Sequence, residues 1–537
     1  MKNDFKIALN QLKSILFSYE PEFADKKCLL LKGLSKIKLD LHYLPDYHEY
    51  LLFMSAYPES PEILKLAQSE LKRIATFIAQ LPLNKRSIFN DSGLPHTAMI
   101  TRFSCDILEE MLNEYQCKIE IDSFEEIGDS LNNILNITLP SFLKQETTAG
   151  LSNFDLLDTL GVKPRERLRF LLNEFKKLEH QPLLKDHLWE SMKIYLNISS
   201  IKINYSRSYN KLRLETLFFQ SEMLKKFDAQ TLLNKELPMP VELSESSLKV
   251  VIGVIRKSLL LTMRETDTST YMDESSLQLF HLERGISVAL YGLKPNRQLA
   301  YQSYIGYTAF KNGYPVAYGG SWIFGHTAMF GLNILESFRG GESGFIMCQL
   351  LRTYIQSFKL TYIEVENYQF GKDNPDGIKS GAFWFYYRYG FRPVDKKLKQ
   401  LAEKEYDKIK TKKDYRSTEK TLVALSESNL ALNLKHATPL RKEDIFAKVL
   451  DMIAKDFAGN NTNASEIAVA AFREKLALKT TFNDIENKVL QEVALWAKAF
   501  KVDELQQLQL LQKMIKAKTT SAFTYNQLIK NYEMLST

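Results

Sequence analysis

An α+β protein, with a mixed and mainly antiparallel central sheet between a large N-terminal and a smaller C-terminal helical region, is predicted by three features of the 537-residue sequence. Apolar residues recur at helical spacing up to about residue 240 and again from Asp444 onward. Between these stretches, residues 277–336 carry apolar runs broken by turn signals, the texture of strands. The change falls at NKELPMPVELSESS, residues 234–247, a proline- and serine-dense segment that reads as a linker. The expected division is a helical domain over 1–245, a sheet domain over 246–427 and a helical region over 428–537.

In the first region, Ile63, Ala67, Ile74, Phe77 and Ile78 share one helical face within residues 61–80. Ser60 can cap the free N–H groups of that helix, and Pro61 loses nothing at its first position. Lys163-Pro164 opens a second amphipathic run, RERLRFLLNEFKKL, and Asp91-Ser92-Gly93-Leu94-Pro95 marks a break. In the sheet region, strands are expected over 277–293, 304–311 and 314–324. Asn312-Gly313 joins the last two, and Asn-Gly between apolar runs is a strong hairpin signal because both residues tolerate positive φ. A strand over 327–336 enters the turn FRGGESG, after which Ile346, Leu350, Leu351 and Tyr354 recur at helical spacing. There follow a strand over 360–366, a polar loop over 367–381, a short aromatic helix over 382–389 and a strand beginning at Phe391-Arg392-Pro393. Residues 395–420, rich in lysine with acidic residues mixed in, read as a solvated helix or mobile loop, and KTLVA at 420–424 as the strand that closes the sheet.

The formal charge of +7 arises from 71 basic and 64 acidic residues that are mostly interspersed, so DNA binding is not expected. Cys28, Cys105, Cys117 and Cys348 lie far apart with no Cys-x-x-Cys pair, which argues against a disulfide framework or zinc ribbon and for a reducing compartment. The N-terminal residues alternate charged and apolar side chains and lack the uninterrupted apolar run of a signal peptide or membrane span, so the expected location is cytoplasmic. There is no phosphate-binding Gly-x-x-x-x-Gly-Lys-Ser/Thr loop, no His-Glu-x-x-His and no Gly-x-Ser-x-Gly elbow. The histidines are scattered: His42 and His48 are badly spaced for one metal-binding face, His326 reads as a capping or packing residue, and no metal is expected.

Chemistry concentrates after residue 334. Consecutive glycines leading into a helix expose backbone N–H groups at the positive end of its dipole, an arrangement that suits a pyrophosphate, and Arg339 adds a charged donor. Further on, AFWFYYRYGF at 382–391 is an aromatic-rich helical turn that ends in Gly-Phe.

With these two motifs and the order strand, glycine turn, helix, strand, helix, residues 250–427 resemble the GNAT acyltransferase superfamily. Its phosphate turn reads Arg/Gln-x-x-Gly-x-Gly/Ala; Arg339 and Gly344 fill the first and last positions, and Glu342 stands where glycine is usual. A carboxylate there suits the helix dipole but would repel a pyrophosphate, leaving open a shifted register, a different donor or a core that has lost its cofactor. The second motif matches at Ala382, Phe385, Tyr386, Gly390 and Phe391.

The resemblance implies transfer of an acetyl or other acyl group from acyl-CoA to a small-molecule or peptide amine by direct attack. It implies cofactor contacts at Leu335, Ser337, Phe338, Arg339, Gly340, Gly341, Ser343 and Gly344, with Tyr386 as general acid. Glu336 and Glu366, at the ends of two central strands, are the candidate bases. The strand over 277–293 and the segment 261–271, with Arg264, Glu265 and Asp267, would wall the acceptor side. Two alternatives keep the fold: a transferase whose donor is an aminoacyl-tRNA or a carrier protein, and a non-catalytic interaction protein built on a degenerate core.

Overall fold

The computed structural model describes residues 2–435 and 441–536. The chain groups into two compact units, one made of 1–222, 243–270 and 312–314, the other of 223–242, 271–311 and 315–537.

The first unit is mainly helical. Ser60 caps the helix Pro61–Ala79 by accepting the Ile63 N–H at 3.2 Å, and Ile63, Ala67, Ile74 and Ile78 are buried along it. The helical pattern did not disclose a three-stranded sheet, β1 (Met99–Thr101), β2 (Cys117–Phe124) and β3 (Ile194–Ser200), in the order β1-β3-β2. Both pairings are antiparallel, and Ile119, Leu196 and Ile198 enter a core with Trp189, Phe175 and Leu171.

The second unit is built on eight strands: β4 (Gln278–His281), β5 (Ile286–Gly292), β6 (Ser303–Lys311), β7 (Tyr314–Phe324), β8 (Thr327–Ile334), β9 (Tyr362–Val365), β10 (Arg392–Pro393) and β11 (Leu430–Asn433). Their order is β10-β11-β9-β8-β7-β6-β5-β4. The pairing of β8 with β9 is parallel, and the connection it requires is the helix α1 (Ser343–Phe358). The remaining described pairings are antiparallel, so the sheet is mixed and mainly antiparallel, as expected. Every residue of β5 is buried, as are nearly all of β6, so these strands lie inside the unit rather than at its surface.

Asn312 and Gly313 turn between β6 and β7 with φ of 47° and 82°, the positive values that a tight hairpin demands. Three expectations are corrected. The strand expected over 277–293 is two, because Arg284 and Gly285 both take left-handed φ and reverse the chain between β4 and β5. The strand expected to run to residue 336 ends at Ile334, and Glu336–Phe338 form a helical turn. KTLVA is helical: the Thr418 hydroxyl caps the Thr421 N–H at 3.2 Å, and Leu422 and Leu425, one turn apart, are the buried pair of the helix Glu419–Leu425. The sheet is closed instead by β11, which returns between β9 and β10.

The lysine-rich stretch forms the helix Lys396–Thr411, begun by the Asp395 carboxylate accepting the Lys397 and Leu398 N–H groups. Five helices from Lys442 to Ser536 follow, packed around Trp496, Tyr525, Leu511 and Met514 together with Tyr301 and Phe324. Among the described residues no helix is long and apolar enough to cross a membrane, and no group of three or more acidic, histidine or cysteine side chains could hold a metal ion.

Candidate functional site

Strands β8 and β9 run together for only three residues, Thr327, Ala328 and Met329 opposite Tyr362, Ile363 and Glu364. β9 then ends at Val365, while β8 continues from Phe330 to Ile334 with no strand on that edge. Backbone groups of a strand point alternately to its two edges. Leu335 donates its N–H to the Val316 carbonyl at 2.9 Å, on the β7 side, so Leu332 and Ile334 direct their N–H and C=O toward the vacated edge.

Side chains partly fill this gap. Gln369, in the turn after β9, accepts the Leu332 N–H on Oε1 at 3.4 Å, and its Nε2 lies near Gly331. Arg339 folds back so that its Nε donates to the Ile334 carbonyl at 3.3 Å. The Leu332 carbonyl and the Ile334 N–H meet no partner among the described residues.

Tyr386 lies on α3 (Ala382–Arg388), which follows α2 (Pro375–Ser380) across Gly381 at φ 66°. Its ring is 3% exposed and meets Phe370, Phe385 and Phe391 edge-on at centroid distances of 6.2, 5.4 and 5.6 Å. Burial pushes the phenol above its usual range, which keeps it protonated, and the hydroxyl bonds to no described residue. Tyr307 of β6 is a neighbour that sequence reading missed. Its phenol is raised first by burial and next by Tyr386, and its hydroxyl donates to the Gly331 carbonyl at 3.0 Å. It reaches β8 across Gly319, where a Cβ would stand 2.8 Å from the Tyr307 oxygen. Gly319-Gly320 inside a strand was the available signal, since glycine in a strand often marks close approach.

The glycine turn lies at the same end of β8. Leu335 and Phe338 are buried, Ser337 is half-buried, and Arg339 and Gly340 are exposed. Gly341 N–H bonds to Phe338 O at 3.3 Å, whereas the N–H groups of Ser343, Gly344 and Phe345 find no acceptor among the described residues. Gly344 admits no side chain, because a Cβ would fall 1.7 Å from the Tyr389 hydroxyl oxygen. Tyr389 in turn stacks on Phe227, whose edge meets Phe345.

Glu342 does not face the exposed side of the turn. It is 1% exposed, and its Oε1 accepts from Arg284 Nη2 at 2.7 Å, Arg284 Nε at 2.9 Å and the Leu224 N–H at 3.1 Å. Its Oε2 accepts from Lys311 Nζ at 3.1 Å. Two cations thus meet this carboxylate beneath the first turn of α1, so its charge is met inside the unit rather than presented at the exposed side of the turn. Burial draws the Lys311 ammonium down to about 8 despite Glu342.

Glu336 and Glu366 are both exposed, in the turns just past β8 and β9, and neither side chain bonds to a described residue. Glu364 belongs to another cluster: it is buried and accepts from Arg441 Nη2 at 2.7 Å and Asn429 Nδ2 at 3.2 Å. Arg264, Glu265 and Asp267, expected to wall the acceptor side, group with the first unit. The parting of β8 and β9 therefore brings together Tyr386, Tyr307, Gln369 and the Leu332–Ile334 backbone, with the glycine turn at its C-terminal side. The chain matches no family model, no curated protein and no solved structure.

Proposed function

We propose that the second unit, built on the eight-stranded sheet, is a GNAT-like, acyl-CoA-dependent N-acyltransferase acting on an amine in the cytoplasm. The observation that carries this reading is the parting of β8 from its parallel neighbour β9, beyond which the Leu332 carbonyl and Ile334 N–H meet no partner among the described residues; Tyr386, whose hydroxyl bonds to no described residue, neighbours Tyr307, which bonds the adjacent Gly331 carbonyl. An extended amide-bearing arm, such as the pantetheine of CoA, can add to such an edge as a strand would. The N–H groups of Ser343, Gly344 and Phe345, at the start of a helix whose flanking Glu342 carboxylate is held inward by Arg284 and Lys311, suit the pyrophosphate.

In the reaction the amine nitrogen attacks the thioester carbon and the C–S bond breaks. The departing thiolate takes the Tyr386 proton, and Glu336 or Glu366 takes the proton released by the amine. The free cysteines, of which Cys105, Cys117 and Cys348 are buried, suit a reducing compartment. The test is calorimetric titration with acetyl-CoA and CoA, on the wild type and on Arg339→Ala. Binding that weakens in Arg339→Ala supports the reading; no binding by either protein overturns it.

One observation favours a second reading, a transferase on the same fold whose donor is an aminoacyl-tRNA or a carrier protein. Gln369 already satisfies Leu332 in the gap, as a core without an acyl-CoA ligand requires. Absence of CoA binding together with salt-dependent association with tRNA would establish it.

A further inference from the structure

In the first unit β1 and β2 flank β3, so each has one side that no strand covers. Ile100 of β1 stands opposite Asn197 of β3, yet it donates its N–H away from β3, to Asp91 Oδ1 at 2.7 Å. The pair is therefore of the non-hydrogen-bonded kind, and Asn197 turns its backbone groups to β2, where it stands opposite Glu120. By alternation Cys117, Ile119 and Ile121 direct their N–H and C=O to the outer side of β2. These outward groups meet no partner among the described residues, whereas Asp91 occupies the outer side of β1.

The two faces of β2 differ. Cys117 and Ile119 are buried, in one core with the helices Cys105–Asn113 and Arg167–Lys176. Lys118 and Glu120 stand on the opposite face, 68% and 41% exposed, and pair along the strand at 3.1 Å. An uncovered edge invites another strand, and native edges are commonly blunted by bulges and charges. The bulge between Ile121 and Ser123 does end the regular stretch, leaving residues 117–121 with Ile119 at their centre. The charges, however, are of opposite sign and lie one residue to either side of that centre.

We propose that this edge pairs antiparallel with β2 of a second copy, about a two-fold axis at Ile119, which joins the two three-stranded sheets into one. In that register Ile119 meets Ile119 of the other copy and Cys117 meets Ile121, all through outward backbone groups, and Lys118 of each copy faces Glu120 of the other. An axis one residue to either side would set Lys118 or Glu120 against its own like charge. The inference concerns the first unit alone and is independent of the transferase reading.

The test is sedimentation velocity on the full chain over a range of concentrations. The wild type is expected to pass from monomer to dimer as concentration rises. Lys118→Glu and Glu120→Lys each oppose like charges at both positions, and each variant should self-associate about tenfold or more weakly. An equimolar mixture of the two variants again sets a carboxylate opposite an ammonium at both positions, and is expected to recover the dimer. Ile121→Pro removes an outward N–H without touching the ladder to β3, and should weaken the dimer while the far-ultraviolet circular dichroism is kept. A wild type that stays monomeric throughout would overturn the proposal and leave the edge to a strand of another protein. Charge variants that associate as well as the wild type, or a mixture no more associated than its components, would overturn it too.

Discussion

Lys311 Nζ lies 3.1 Å from Glu342 Oε2, and both side chains are wholly buried. With Arg284 on the other carboxylate oxygen, this contact ties the glycine turn to β6 and to the reversal between β4 and β5. The carboxylate is therefore the anchor of the turn, which changes what its removal should do. Glu342→Gly would take the carboxylate from buried Lys311 and from Arg284 together, and breaking one side of such a pair costs about 3–5 kcal/mol. We expect a large fall in the urea midpoint for Glu342→Gly. The double variant Lys311→Met/Glu342→Gln should lose less than the two single changes combined. Additive losses would show that the two side chains do not act as a pair.

Much of the sheet was legible because its signals are local. Asn312-Gly313 states its own turn, and the alternation of apolar runs on either side needs no distant information. The helix cap at Ser60 is equally self-contained. The anchor at Glu342 was not legible, since its partners lie 58 and 31 residues back and nothing in FRGGESG points to them. The three-stranded sheet was missed for a related reason. β2 alternates in CKIEIDSF, but its partner β3 lies far along the chain, beyond several helices. KTLVA misled because β-branched residues favour strands on average, whereas the Thr418 cap and the spacing of Leu422 and Leu425 decide locally for helix. At the candidate site the motif residue Tyr386 was readable, but Tyr307 and Gln369 reach it only through the pairing of the strands.

Gln369 offers a direct probe of the vacated edge. Its side chain holds the Leu332 N–H through a long bond of 3.4 Å, so a donor amide added to this edge must displace it. A hydrogen bond contributes about 0.5–1.5 kcal/mol net. Under the acyltransferase reading, Gln369→Ala should therefore bind acetyl-CoA about two- to tenfold more tightly than the wild type, read by calorimetry. Weaker binding would assign Gln369 to holding the ligand rather than its place.

Lys518 gives the protein a signature on the alkaline side. Its ammonium is buried, donates to the Leu299 carbonyl at 2.5 Å and lies 3.7 Å from Glu492. Burial brings it down to about 8, against an ordinary value of 10.5. Between these values the unfolded chain holds the proton that the folded chain has released, so stability rises with pH through this window. Lys311, also near 8, acts in the same direction. The buried thiols of Cys105, Cys117 and Cys348, pushed up by burial, act in the opposite direction over the same window, so Lys518 is read from a difference: between pH 8 and 10 the stability of the wild type in urea should change more favourably than that of Lys518→Met, and an equal change in the two would remove Lys518 as a source.

The proton transfer assigned to Tyr386 is separable from donor binding. Its ring is packed by Phe370, Phe385 and Phe391, so Tyr386→Phe keeps the shape of the wall and removes only the hydroxyl. Because that hydroxyl bonds to no described residue, its loss leaves no buried partner unsatisfied, and stability should hold within about 1 kcal/mol. A general acid contributes about 10²–10⁴ in rate. Under the acyltransferase reading, Tyr386→Phe should therefore lower kcat by at least about a hundredfold while the Kd for acetyl-CoA, measured by calorimetry, stays within about twofold. A drop in kcat accompanied by an equal loss of donor affinity would make Tyr386 a binding residue. Unchanged kcat would pass the proton to another group, and Tyr307, whose hydroxyl is engaged with Gly331, would be the next to substitute.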